Sequence, residues 1–208
     1  MSTSEYLEIT EEKGPFIFKD RGSKFYGYAA PFNHLEDFKS MIGHFRLLYP
    51  KANHVVSAYR DQPQKNQTFC TDDGEPKNSS GPPVLGQIIQ HNLYNTAVFV
   101  IREFGGTPLG IPGLIGAYKS AANGVLLECE KRKVIPSANY SVQVNYADER
   151  WLTAIVEKHD GKIKSTNYLE SISMTFTIPL STNELFLLKL KNNKRYVGLI
   201  ISESEKAD

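Results

Sequence analysis

The chain has 208 residues, with 24 Lys and Arg against 23 Asp and Glu and a formal net charge of +1. That suits one large domain or two small ones, either able to bury a core without staples. No apolar run approaches the roughly 18 residues of a membrane span. The polar, acidic segment Met1–Lys13 is unlike a secretory signal, so a cytoplasmic location is expected by default. Neither the part before Lys133 nor the part after it is basic, which argues against strong non-specific binding to nucleic acid. Cys70 and Cys129, the two cysteines, lie far apart without C-x-x-C spacing; reduced thiols are expected, and no zinc site.

Gly14–Phe18 and Lys24–Phe32 read as strands joined by a turn at Arg21-Gly22-Ser23. Phe38, Ile42, Phe45 and Tyr49 recur at helical spacing, predicting a helix over 35–49 that stops before Pro50. Asn53–Arg60 reads as a strand. Asp61–Pro83 is a long polar loop, and loops of that length are usually functional or mobile. A short helix follows over Val84–His91. Thr96–Arg102 is apolar on both faces, as in a central strand. A glycine-rich stretch, Gly105-Gly106-Thr107-Pro108-Leu109-Gly110-Ile111-Pro112-Gly113, leads into a helix ending near Glu130, whose Ala117, Ala121, Ala122 and Gly124 suit close packing on a sheet.

The pattern changes at Lys131–Ser137, read as an exposed polar linker between domains at 1–132 and 138–208. Beyond it Tyr140, Val142, Val144 and Tyr146 alternate with polar residues. A helix capped by Asp148 carries Leu152, Ile155, Val156 and His159 and ends at Asp160-Gly161. Lys162–Tyr168 and Ile172–Ile178 form a hairpin. Ser181 with Glu184 reads as a capping box for the next helix, and Arg195–Ile201 is the last strand. The order β-α-β-β-α-β names a ferredoxin-like domain, with its helices on one face of the sheet and Ser141, Gln143, Asn145, Ser173, Thr175 and Thr177 on the other. That open face lacks the exposed aromatics of an RNA-recognition sheet.

Three places could carry chemistry. Asp72, Asp73 and Glu75 put three carboxylates within four residues, which suits Mg²⁺ or Ca²⁺, although the EF-hand spacing is absent. The preferred reading is a polar turn whose acids cap amides or pair with Arg102. The glycine-rich stretch could present N–H groups to a phosphate at a helix N-terminus. It has no Walker or G-x-G-x-x-G spacing, and glycines that permit close backbone approach are the simpler account. His54, Ser57 and Cys70 could form a nucleophile and base, but no family-specific context supports them, and a half-buried structural His54 is preferred.

Several segments together resemble the YigZ/IMPACT family. They are Arg21-Gly22-Ser23-Lys24-Phe25, His54 with Ala58-Tyr59-Arg60, Thr71-Asp72-Asp73-Gly74-Glu75-Pro76, Gly81-Pro82-Pro83-Val84-Leu85-Gly86-Gln87-Ile88, and Arg102-Glu103-Phe104-Gly105-Gly106-Thr107-Pro108-Leu109-Gly110. The likeness runs from Phe16 to Leu127. Three positions depart from the family pattern. Glu103 stands for an aromatic residue, Pro108 for a frequent Lys and Pro112 for a Gly, and the loss of that Lys with the gain of Glu103 makes the loop less attractive to phosphate. The resemblance implies an α+β protein, with an N-terminal domain like ribosomal protein S5 domain 2 and a C-terminal ferredoxin-like (βαββαβ) domain. It also implies a role linked to translation, since the eukaryotic members regulate translation by competing for a ribosome-associated kinase activator. Those members carry an extra N-terminal domain, so their mechanism is not expected to transfer whole.

A binding protein is therefore expected, contacting a ribosome-associated protein or RNA, with any RNA binding weak and salt-sensitive. No catalytic residue, cofactor, metal or membrane partner is expected. The candidate binding residues are Arg21, Lys24, His54, Asp72, Asp73, Glu75, Arg102, Gly105, Gly106, Gly110 and Gly113. The alternative is a hydrolase or phosphate-ligand enzyme built on Asp72, Asp73, Glu75, Arg102 and the glycine-rich loop. Some members of the family have carried a proline-dipeptidase label, and the chain holds no metal-ligand set to support it.

Overall fold

The computed structural model describes residues 5–65 and 67–192, and the backbone of 201–204. Tyr6–Val134 forms one compact unit and the chain from Ile135 belongs to a second. The first is built on a five-stranded sheet, antiparallel throughout, in the order β2(Lys13–Asp20), β3(Ser23–Pro31), β6(Thr96–Glu103), β4(His54–Arg60), β5(Thr68–Thr71). As its apolar run predicts, β6 is the central strand, buried from Thr96 to Arg102.

Side-chain alternation along β6 divides the core in two. Ala97, Phe99 and Ile101 face an aromatic cluster containing Phe38 and Phe45 of α1(Leu35–Leu48), with Tyr28 and Phe32. Val98 and Val100 face the other way. They meet Val84 and Ile88 of α2(Gly81–Gln90) and the small-residue stripe of α3(Gly110–Glu128). The smallness is required. A Cβ on Gly27 of β3 would come within 2.5 Å of the Ala121 carbonyl oxygen, and one on Gly124 would lie 2.3 Å from the Phe16 ring. By the same alternation Arg102 belongs to the α3 side, at the end of the strand.

Three sequence expectations change here. Lys131–Val134, taken as linker, is the strand β7, paired antiparallel with β1(Tyr6–Ile9) from Tyr6↔Val134 to Ile9↔Lys131. Ile9 is buried in the main core, and Arg132 reaches the Glu8 carboxylate at 2.6–2.7 Å. β1 is only four residues long and β7 is charged at three of its four positions, which hides their pairing from a hydrophobic pattern. The long loop also contains β5, and α2 begins at Gly81 rather than Val84.

The second unit has the expected β-α-β-β-α-β order: β8(Ser137–Val144), α4(Glu149–Lys158), β9(Lys162–Tyr168), β10(Ile172–Pro179), α5(Leu180–Lys191) and β11(Ile201–Ser204). The sheet runs β11-β8-β10-β9 with antiparallel neighbours, the ferredoxin-like arrangement. Tyr140, Val142, Val144, Ile172, Met174, Phe176 and Ile178 share one core with Leu152 and Val156 of α4 and Phe186 and Leu190 of α5. On the other face Ser173 lies opposite Gln143 and Thr175 opposite Ser141, and the Ser165 and Thr175 hydroxyls are 2.7 Å apart.

Two caps differ from expectation. A 3₁₀ turn, Tyr146–Asp148, precedes α4, and Asp148 makes no side-chain cap bond. Helix α5 starts directly after Pro179, so Ser181 lies inside it and forms no capping box; the fixed φ of proline sets the entry instead. Of the expected strand Arg195–Ile201, residues 195–200 lie outside the described residues. Ile201–Ser204 pairs with β8.

Candidate functional site

The β-sheet register makes the site. Arg102 sits opposite His54 on β4 and opposite Phe25 on β3, and its inward side chain converges with the Tyr118 hydroxyl of α3 on one carboxylate. Glu75 enters between them from the turn after β5. Its Oε1 accepts from Arg102 Nη1 at 2.7 Å and from the Tyr118 hydroxyl at 2.8 Å, and His54 Nε2 lies 3.9 Å away. Glu75 and Arg102 are 8% and 6% exposed, so each ion needs the other in a medium that penalises a lone charge. Burial, and then the neighbouring Glu75 carboxylate, push the Tyr118 hydroxyl far above the usual tyrosine range. It therefore stays protonated as a donor. The expectation that Arg102 pairs with an acid of Asp72–Glu75 is met, and the acid is Glu75.

The two aspartates are occupied differently. Asp73 stitches the turn to α1 and β4. Its carboxylate accepts from Arg46 Nη2 and from the Val55 N–H, both at 2.6 Å, and its carbonyl lies 2.8 Å from His54 Nδ1. Asp72 holds the start of α2. Its Oδ1 accepts from the Ser80 N–H, the Ser80 hydroxyl and the Gly81 N–H at 3.0, 2.8 and 2.9 Å, and its Oδ2 accepts from the Asn78 N–H at 2.8 Å. Pro82 and Pro83 have no N–H, so Asp72 takes the donors that the first turn of α2 leaves open.

Burial works to raise the Asp72 pKa, but the hydrogen bonds from Gly81, Asn78 and Ser80 outweigh it and hold the carboxyl below its ordinary value. The stabilisation is therefore complete above the unfolded-state pKa of about 3.9 and is lost as pH falls through the lower folded value. Asp72→Asn is expected to be about 2 kcal/mol less stable than the parent at pH 7. The gap should narrow below about pH 4, as read by urea denaturation across pH. A gap independent of pH would show that the carboxylate charge is not what holds α2.

The glycine-rich loop is built for contact between backbones. Arg21 and Gly22 form the tip of the β2–β3 hairpin with φ of 45° and 82°, and Gly105 lies directly on it. A Cβ on Gly105 would fall 1.9 Å from the Gly22 carbonyl carbon, and the Gly105 N–H donates to Ser23 Oγ at 3.1 Å. Gly110 and Gly113 stand in the first turn of α3. Pro112 removes one N–H from that turn, Leu109 at the N-cap adds no side-chain bond, and Glu103 accepts from the Tyr26 hydroxyl at 2.9 Å. The loop faces outward with apolar groups: Phe104 and Ile111 are 52% and 55% exposed.

Of the candidate residues, the fold thus joins His54, Asp72, Asp73, Glu75 and Arg102 in one network, and seats Gly105 against the neighbouring hairpin. Gly106 is exposed, with φ of 86°. Arg21 and Lys24 are exposed, and among the described residues no bond ties either to the acids. Ser57 is wholly buried, with the opposite strand parity to His54. Burial, and then Asp72, raise the Cys70 thiol pKa, the reverse of an activated nucleophile. Sequence reasoning missed Tyr118, Arg46 and Ser80. Only Tyr118 left a signal, one helical turn after Leu114 and before Ala122 on the buried stripe of α3.

Residues 21–126, about half of the chain, match the model of the Impact N-terminal domain. The chain belongs to the IMPACT family. A second model, a domain of unknown function (DUF1949), matches residues 142–193. Among relatives, IMPACT family member YigZ of Escherichia coli (strain K12) is 27% identical over 175 residues, covering 83% of this chain and 86% of that one. An IMPACT family member of Haemophilus influenzae is 26% identical over 208 residues, covering 97% and 100%. The crystal structure of a hypothetical protein superposes with a TM-score of 0.66 at 24% identity, covering 99% of this chain and 100% of that chain, and shares the fold. No helix among the described residues is long and apolar enough to cross a membrane.

Proposed function

We propose that this IMPACT family protein acts in translation by binding a ribosome-associated protein, and that the exposed loop Phe104–Gly113 is its docking surface. The observation that carries this reading is the occupancy of the polar groups. Asp72, Asp73 and Glu75 are bound to backbone N–H groups, Arg46, Arg102 and Tyr118, so the fold uses them to fix the loop's surroundings rather than to hold a substrate. What the loop offers outward is Phe104, Ile111 and two prolines on a rigid base, a surface suited to an apolar protein contact. The family resemblance to regulators of translation supplies the setting. RNA contacts in this reading are weak and salt-sensitive, because the basic and acidic residues nearly balance, 24 against 23, and leave no strongly basic surface.

The test is affinity capture from lysate with and without RNase, comparing the parent with Phe104→Ser/Ile111→Ser. The expected result is a ribosome-associated protein recovered despite RNase and reduced at least about tenfold in the variant. Recovery abolished by RNase and untouched by the double substitution would replace the protein partner with RNA. Peptidase turnover lost in Asp73→Ala would overturn the binding reading in favour of a hydrolase.

A further inference from the structure

The second unit carries an exposed aromatic surface of its own. Tyr146, from the 3₁₀ turn, and Tyr168, at the end of β9, stack at a centroid distance of 6.3 Å. The Tyr146 hydroxyl donates to the Leu169 carbonyl at 2.8 Å, and the Tyr168 hydroxyl donates to Glu149 Oε1 at 2.6 Å. Both rings are thus held in place, yet each is 57% exposed, and Leu169 beside them is 78% exposed. One exposed apolar residue needs no explanation, but a stacked, hydrogen-bonded pair of rings followed directly by an exposed leucine does. Rings already held by hydrogen bonds also lose little freedom when something docks on them.

Charge selects the occupant. Glu149, whose carboxylate meets the Tyr168 hydroxyl at the surface, and Glu170, next to Leu169, stand against one neighbouring cation in sequence, Arg150. That excess of acid repels phosphate and attracts a cation. A guanidinium adds stacking on a tyrosine face, a contact this chain already makes where Arg60 lies 3.5 Å from the Tyr94 ring centroid. We propose that the Tyr146–Tyr168–Leu169 surface docks an arginine-bearing, leucine-containing segment of a protein partner. The proposal does not depend on the Phe104–Gly113 loop, and either can fail without the other.

The test uses the full ¹⁵N-labelled chain and four probes: a short Arg/Leu peptide, its Glu/Leu counterpart, a Ser/Gly peptide and poly(U). Saturable binding of the Arg/Leu peptide is expected, with amide shifts concentrated at 146–149 and 167–170. Leu169→Ser, a surface change, should weaken it about tenfold, and Glu149→Gln, which keeps an acceptor for Tyr168, should weaken it by a smaller factor. Equal binding of the Glu/Leu peptide, or indifference to both substitutions, would overturn the proposal. So would preference for poly(U), or self-association of the chain that Leu169→Ser abolishes.

Discussion

Arg102→Met is expected to cost about 3–5 kcal/mol of folding free energy, the penalty for leaving a buried charge without its partner. The Tyr118 hydroxyl alone cannot neutralise Glu75, and solvent does not reach a carboxylate held between α3 and two strands. Truncating Arg102 also removes its cation from between the Phe25 and Phe104 rings, whose centroids lie 5.5 and 5.4 Å away. A buried ion pair is not intrinsically favourable, however, so replacing the whole set behaves differently from breaking it. Arg102→Met/Glu75→Leu/Tyr118→Phe should recover most of the loss, because no unpaired buried charge then remains. Urea denaturation of the single and triple variants decides the matter. A single variant within about 1 kcal/mol of the parent would mean that Glu75 is well solvated, and a triple variant no better than the single would place the loss in packing rather than charge.

Gly105→Ala is expected to be nearly as damaging for a reason that involves no charge. The new methyl would lie 1.9 Å from the Gly22 carbonyl carbon and 2.2 Å from both the Gly22 oxygen and the Ser23 nitrogen. All three are backbone atoms in a tight hairpin, so no side chain can swing aside. Either the loop or the hairpin must move, and a cost of about 3 kcal/mol follows, at the upper end of overpacking. Gly106→Ala is the control. Its Cβ would meet nothing within 4 Å, but its φ is 86°, so only the left-handed penalty of about 1–2 kcal/mol applies. Thermal unfolding of the two variants should rank Gly105→Ala as clearly the worse. The reverse order would deny the close approach that seats the loop.

How legible the site was depended on the kind of interaction that builds it. Arg102 could be placed from its own sequence, since a strand buried on both faces that ends in Arg demands an acceptor, and the acid-rich turn is the richest source of one. Which acid would serve was not legible, because Asp72, Asp73 and Glu75 look alike until the turn's backbone, with φ of 44° at Asp73 and 88° at Gly74, sends each a different way. The β1–β7 pair escaped notice because both strands are four residues long and β7 is mostly charged, and alternation cannot reveal a partner so distant in sequence. The two helix caps misled for a local reason. Ser181-x-x-Glu184 has the right letters, but Pro179 fixes the entry two residues earlier.

The β1–β7 pairing also bears on how the chain is made. Tyr6 meets Val134 across more than a hundred intervening residues. On a translating ribosome, β1 can bridge Leu93 early, but its antiparallel partner β7 is missing until Lys131–Val134 clears the exit tunnel. The five-stranded sheet needs nothing beyond Glu103, so it can assemble while α3 and β7 are still being synthesised. The clasp then closes last, fastening the two ends of the unit once the intervening chain has already settled the entropy of so long a loop.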